Sequence, residues 1–174
     1  MDPFEALYRE HSAAVYGFAL YLSGDRDAAA DLTSEAFVRA WGSPQPIRAA
    51  TVRGYLFAIA RNTYLQALRR ERRRVAIDDE LPDPSPGPAA DFERSSVLGA
   101  ALADLQKLPE GDRAALVLRV LADMPYDGIA ATLGISLAAT KVRIHRARLA
   151  LIRMRERADA TPGTAPPPST PETP

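Results

Sequence analysis

Four cationic side chains, Lys141, Arg143, Arg146 and Arg148, follow one another at two- and three-residue steps in the stretch Leu137 to Leu151. Cations so spaced on a helix can neutralise phosphates and reach the O6 and N7 edges of guanine. Just before them, Tyr126 to Leu133 suits a short helix with Ile129, Ala130 and Leu133 inside. Gly134 can take the positive φ that ends a helix, Ile135 anchors the turn, and Ser136 is a good N-cap. In the second helix Leu137, Thr140, Ile144, Ala147 and Leu151 share one face, leaving the cations on the others. This order is a helix-turn-helix, whose second helix fits the major groove. Two features weaken the first short helix. Gly128 lies inside it, at a cost of roughly 1 kcal/mol against Ala, and Pro125 stands where a capping Ser would be expected.

Other chemistry is poorly represented. The chain has no cysteine, which excludes disulfides and thiolate metal sites. His11 and His145 fall in helical patterns with no triad partner, and no nucleophile motif or phosphate loop is present. Asp78, Asp79, Glu80 and Asp83 form an acidic cluster, but prolines interrupt it and no histidine accompanies it. A metal site is therefore not expected there, nor is any cofactor or enzymatic activity.

The elements that must hold these side chains come from a chain of 174 residues, 47% apolar and 7% aromatic, enough for one ordinary domain or two small ones. An Ala- and Leu-rich core leans helical. The N-terminus lacks the basic-then-apolar order of a signal peptide, and no apolar run spans a bilayer. A cytoplasmic protein without membrane insertion is expected. Net charge is zero but unevenly placed: residues 1–74 carry +3, 75–95 carry −5, 96–157 carry +4 and the tail −2. Beyond a Debye length the local fields outweigh the total.

Asp2 and Pro3 open a first helix to about Leu22, with Phe4, Leu7, His11, Val15, Phe18 and Leu22 in phase. A second starts at Asp25 or Asp27 and runs to Trp41, with Ala29, Leu32, Ala36, Phe37 and Ala40 inside. A third runs from about Thr51 to Arg74, apolar at first and basic at its end. Residues 75–95, rich in Asp and Pro, have little to bury and read as a linker. Val97, Ala101, Leu102, Leu105 and Leu108 mark a further helix, and Ala114 to Leu121 another. The tail from residue 158, above all from Thr161, shows no periodicity and is expected to be disordered. The fold class is all-α: two small helical domains, 1–74 and 96–157, on a flexible acidic, Pro-rich tether.

Leu108-Pro109-Glu110, Tyr126, Ile129-Ala130, Leu133 to Ser136 and Lys141 to Arg148 resemble region 4 of the extracytoplasmic-function (ECF) sigma factors of bacterial RNA polymerase. Asp31 to Trp41 resembles region 2.2 of that family, and Gly54 to Asn62 with Leu68-Arg69-Arg70 resembles regions 2.3 and 2.4. The match covers roughly residues 4–74 and 97–155, in the family's order.

The resemblance implies a transcription initiation factor that directs core polymerase to promoters and helps melt the minus-ten DNA. Asp31, Ser34, Glu35, Phe37 and Arg39 would meet the clamp helices of the largest subunit, with Ser34 where the family usually has Gln. Phe37 and Trp41 also suit plain core positions. Asn62 would face an unpaired minus-ten base, with Arg61, Arg69, Arg70, Arg72, Arg73 and Arg74 lining the strand's path. The Pro-rich loop from Gly42 to Thr51 corresponds to the family's specificity loop. Tyr126, Ser136, Ala138, Ala139, Lys141, Val142, Arg143 and Arg146 would serve the minus-thirty-five element. The apolar face near Leu116–Leu121 would bind the flap of the second-largest subunit, and an anti-sigma partner is expected. In the free protein, the acidic linker would pair with the basic blocks. The rival reading is a ligand-responsive helix-turn-helix repressor with residues 1–74 as its sensing domain.

Overall fold

The structure is a computed structural model that describes residues 2–43, 49–77 and 97–160. The linker carboxylates Asp78, Asp79, Glu80 and Asp83, most of the Pro-rich loop, and the tail from Thr161 lie outside the described residues. Seven α-helices and no strand occur among the described residues.

Helix α1 spans Pro3–Ser23. The Asp2 carboxylate accepts from the Phe4 N–H at 3.2 Å, and Pro3 occupies the first turn, where its missing donor costs nothing. Gly24, at φ 74°, closes the helix by donating to the Leu20 carbonyl. Helix α2, Arg26–Trp41, is capped by Asp25, which accepts from the Ala28 N–H at 2.7 Å. All five residues expected inside α2 are buried, with Thr33 beside them. Helix α3 spans Ala49–Ile77, three residues further than the sequence pattern marks. Its Leu56, Phe57 and Ala60 fill the groove between α1 and α2, and the Phe18 and Phe57 rings meet at 5.0 Å. These three helices form the first bundle.

The second comprises α4 (Val97–Gln106), α5 (Glu110–Val120), α6 (Tyr126–Leu133) and α7 (Leu137–Ala160). Leu118, Ile129, Ile144 and Ala147 meet at its centre. Helix α7 continues through Ala160, so residues 158–160, expected in the tail, are helical. Three apolar assignments fail near helix starts. Val97 is exposed and Ala101 faces solvent, while Gly99, Leu102 and Leu105 form the buried stripe of α4. Leu137 is exposed too, and the inner stripe of α7 begins at Thr140. A first turn projects past its neighbours, so periodicity alone overestimates its burial.

The two bundles pack against each other: α1 meets α4 and α5, and α3 meets α6. One continuous core runs from Val15, Phe18 and Phe57 to Leu105, Leu118 and Ile129. The two small helical domains expected from the sequence are present, and the apolar sides of α1 and α3 that face the second bundle are covered by it.

Candidate nucleic-acid interface

The turn between α6 and α7 is built as its residues require. Gly134, at φ 65°, donates to the Ala131 carbonyl, and the Ile135 N–H donates to Ala130 at 3.0 Å. This is the paired closure of a helix end on a left-handed residue. The Ser136 hydroxyl then accepts from the Ala139 N–H at 3.1 Å and caps α7. Thr140, fully buried, returns its hydroxyl hydrogen to the Ser136 carbonyl. Ser136→Ala removes the cap and is expected to cost about 1 kcal/mol, lowering the thermal midpoint by about 3 °C. Scanning calorimetry checks this, and an unchanged midpoint would show that the cap is dispensable. Gly128 also finds a reason, since a Cβ there would sit 3.1 Å from Met124 Cγ.

On α7 the outward face consists of Leu137, Ala138, Lys141, Val142, His145 and Arg148, all exposed, with Ala139 half-buried beside them. Lys141 and Arg148 make no ion pair among the described residues and are available to phosphate or base. Arg143 and Arg146 differ. The guanidinium of Arg146 grips the buried Asp112 with two bonds, Nε to Oδ2 at 2.9 Å and Nη2 to Oδ1 at 2.6 Å. The hydrogen bond and charge of Asp112 raise the Arg146 pKa above its ordinary value. Arg143 lies over Gly111, where an added Cβ would collide with its Nη1. Tyr126 is half-buried at the start of α6, with the Arg119 guanidinium 5.6 Å over its ring.

On α3, Asn62, Arg69, Arg70, Arg72 and Arg73 are all exposed, and Arg74 pairs with Glu71 at 2.9 Å. Arg74, in the last turn of the helix, also suits its dipole. Arg61 stands apart from this group. Its Nε and Nη2 meet Glu110 of α5 at 2.6 and 2.8 Å, with the two side chains only 14% and 19% exposed. Next to it, Arg113 of α5 donates to the Tyr64 hydroxyl at 3.3 Å and to Gln106 Oε1 at 2.8 Å. Burial pushes the Tyr64 phenol up from its ordinary value, so it remains a neutral acceptor at pH 7.

On α2, Asp31, Ser34 and Arg39 are exposed, and Glu35 pairs with Arg39 one turn on. The Ser34 hydroxyl donates to the Ala30 carbonyl at 3.0 Å. Phe37 is 1% exposed and belongs to the core, so it has no surface to offer a partner. Trp41, a core position on the sequence pattern, is instead 54% exposed at the last turn of α2, with the Phe4 ring 5.2 Å away. With Val38 and Tyr8 it forms an apolar surface that the sequence did not single out. The signal was available: Val38 falls outside the buried phase of α2. Along α5 the expected apolar face narrows likewise. Leu116, Val117 and Leu118 are buried, leaving Val120 and Leu121 exposed. Glu110 and Asp112 were missed altogether as partners of Arg61 and Arg146. Among the described residues no cluster could hold a metal ion, and no helix is long and apolar enough to cross a membrane.

Comparison with known proteins places these surfaces in a family. Residues 7–74 match the model for Sigma-70 region 2, and residues 100–151 match that for Sigma-70, region 4. The ECF RNA polymerase sigma factor SigE of Mycolicibacterium smegmatis is 38% identical over 155 residues, covering 85% of this chain and 60% of that protein. The chain therefore spans under two thirds of that relative's length. SigL of Mycobacterium tuberculosis is 33% identical, over 84% of this chain and 85% of its own. SigM of Bacillus subtilis is 30% identical, over 83% and 90%. Among solved structures, CnrH in complex with the cytosolic domain of CnrY superposes with a TM-score of 0.64 at 26% identity, covering 88% of each chain. RpoE of Bartonella quintana, in complex with the anti-sigma factor NepR, shares the fold with a TM-score of 0.75 at 24% identity, over 90% of this chain and 98% of its own.

Proposed function

The chain belongs to the ECF sigma factors of the sigma-70 family, and we propose that its two bundles divide promoter recognition between them, as the first docks core polymerase. The observation that carries this reading is the placement of unpaired cations and amides on two separate outward faces. Lys141 and Arg148 lie with Ala138, Ala139 and Val142 on α7, and Asn62 lies with Arg69, Arg70, Arg72 and Arg73 on α3.

The α7 face takes the minus-thirty-five element in the major groove. Lys141 suits a guanine edge, while Ala138, Ala139 and Val142 suit thymine methyls. Arg143 and Arg146 brace the recognition helix on α5 and are left to touch the backbone rather than read bases. The α3 face takes the minus-ten strand, with Asn62 on an unpaired base and the arginines along the phosphates. Asp31, Ser34, Glu35 and Arg39, with Val38 and Trp41, meet the clamp helices of the largest subunit. Val120 and Leu121 meet the flap of the second-largest. The work is done in the cytoplasm, where the polymerase is. An anti-sigma protein is the natural negative partner, since both solved relatives named above were captured with a bound protein. Family membership leaves the repressor reading without support.

Titration of fluorescently labelled chain with core polymerase tests the docking half. Trp41→Ala is expected to weaken the complex about 30-fold, as loss of an aromatic anchor at an interface does. A complex indifferent to both Trp41→Ala and Val38→Asp would place polymerase elsewhere.

A further inference from the structure

The first turn of α5, Glu110-Gly111-Asp112, gathers arginines from the two helices that carry the DNA-binding faces, α3 and α7. Glu110 holds Arg61 from α3, Asp112 holds Arg146 from α7, and Arg143 lies over Gly111. Carboxylates here occupy guanidinium forks that would otherwise suit phosphate.

The Glu110–Arg61 pair differs from the other two contacts because it joins the two bundles. It is bidentate and mostly shielded from water, so salt screens it little. A polar seam continues from it. Arg113 bridges Tyr64 of α3 to Gln106 of α4, and Gln106 donates to the Tyr21 and Leu22 carbonyls at the end of α1, at 3.3 and 3.4 Å. Across the seam Gly54 faces Thr132 so closely that a Cβ would stand 3.0 Å from its hydroxyl.

This closed arrangement cannot span a promoter. The minus-ten and minus-thirty-five elements lie about 25 base pairs apart, or about 85 Å at ~3.4 Å per step. A packed chain of 174 residues has a radius of gyration of only about 16 Å. The bundles must separate before both elements are held, and that separation frees Arg61, the neighbour of Asn62.

We propose that Glu110 is an intramolecular latch: it closes the two bundles of the free chain through Arg61, suppresses DNA binding without polymerase, and is released when the bundles separate on the polymerase. The idea rests on the two-face reading of promoter recognition given above.

The experiment uses the full chain, whose lack of native cysteine allows specific labelling. Spin labels are attached through A30C and E156C, both exposed and one on each bundle. The parent is expected to give one short, narrow distance distribution, and Glu110→Gln a broad distribution reaching longer distances. The charge-swapped pair Arg61→Glu with Glu110→Arg is expected to restore the short distance. Binding of a double-stranded promoter fragment by the free chain should tighten in Glu110→Gln by about fivefold or more, the low end of typical site coupling. Unchanged distances in Glu110→Gln would overturn the latch. So would widening that the swapped pair fails to reverse, since that is unfolding, and so would opening with no gain in DNA binding. Promoter-dependent transcription by the parent with core polymerase is run alongside. Its failure would count against the promoter role, while the distances and the DNA binding of the free chain decide the latch.

Discussion

Replacing Arg69, Arg70, Arg72 and Arg73 together by Gln is expected to weaken capture of the melted minus-ten strand by roughly 200-fold at 0.15 M salt. The magnitude follows from counterion release. Each phosphate neutralised on a single strand contributes about 0.7 to the salt slope, so four lost contacts flatten it by about 3. All four side chains are exposed and none has an ion-pair partner among the described residues, so the fold should be untouched. Thermal unfolding and circular dichroism would match the parent. Holoenzyme carrying the variant would bind polymerase normally and fail to form stable open complexes. Titrating a single-stranded minus-ten oligonucleotide against holoenzyme at several salt concentrations reads the slope directly. A parallel loss of affinity at every salt concentration, with the slope unchanged, would mean that these arginines do not contact phosphate.

Phe57→Ala has the opposite character: it should impair function by destabilising the fold. Phe57 is fully buried between α1 and α2, against the Phe18 ring at 5.0 Å and beneath the Arg53 guanidinium at 5.5 Å. Truncating a buried Phe costs about 3–5 kcal/mol through lost transfer energy and the cavity left behind. Whole domains are stable by only about 5–15 kcal/mol, so the substitution would remove a large part of the stability of the first bundle. Urea denaturation measures the loss. Because the two bundles share one core, the second should lose stability as well. A loss below about 1 kcal/mol would mean that the site collapses readily around the smaller side chain.

Much of the fold was legible because its decisive signals are local. Asp2, Asp25, Gly134 and Ser136 announce helix ends by chemistry acting within three residues, and each acts as expected. The buried stripe of α2 was legible because a helix interior shows one phase for several turns. Helix ends were not. Trp41, Val97 and Leu137 carry apolar side chains in phase or nearly so, yet each is exposed at a terminal turn. The outward face of α7 was legible as a set of cations, but not the division within it. Nothing near Arg146 in sequence says that Asp112, 34 residues earlier, will bind it. Arg61 and Glu110, 49 residues apart and on different bundles, pose the same problem. Zero net charge concealed a further point: part of the positive charge of each DNA-binding block is answered inside the fold.

Core polymerase that carries this chain is expected to become promoter-specific. The direct measurement is reconstituted transcription, with purified core polymerase, the full chain, and fragments of the source genome that include the chain's own upstream region. Discrete transcripts that require the chain and share an upstream sequence pair are expected, and they should be lost with Lys141→Ala in the second bundle and with Asn62→Ala in the first. No chain-dependent transcript from any fragment, together with no binding to core polymerase, would contradict this.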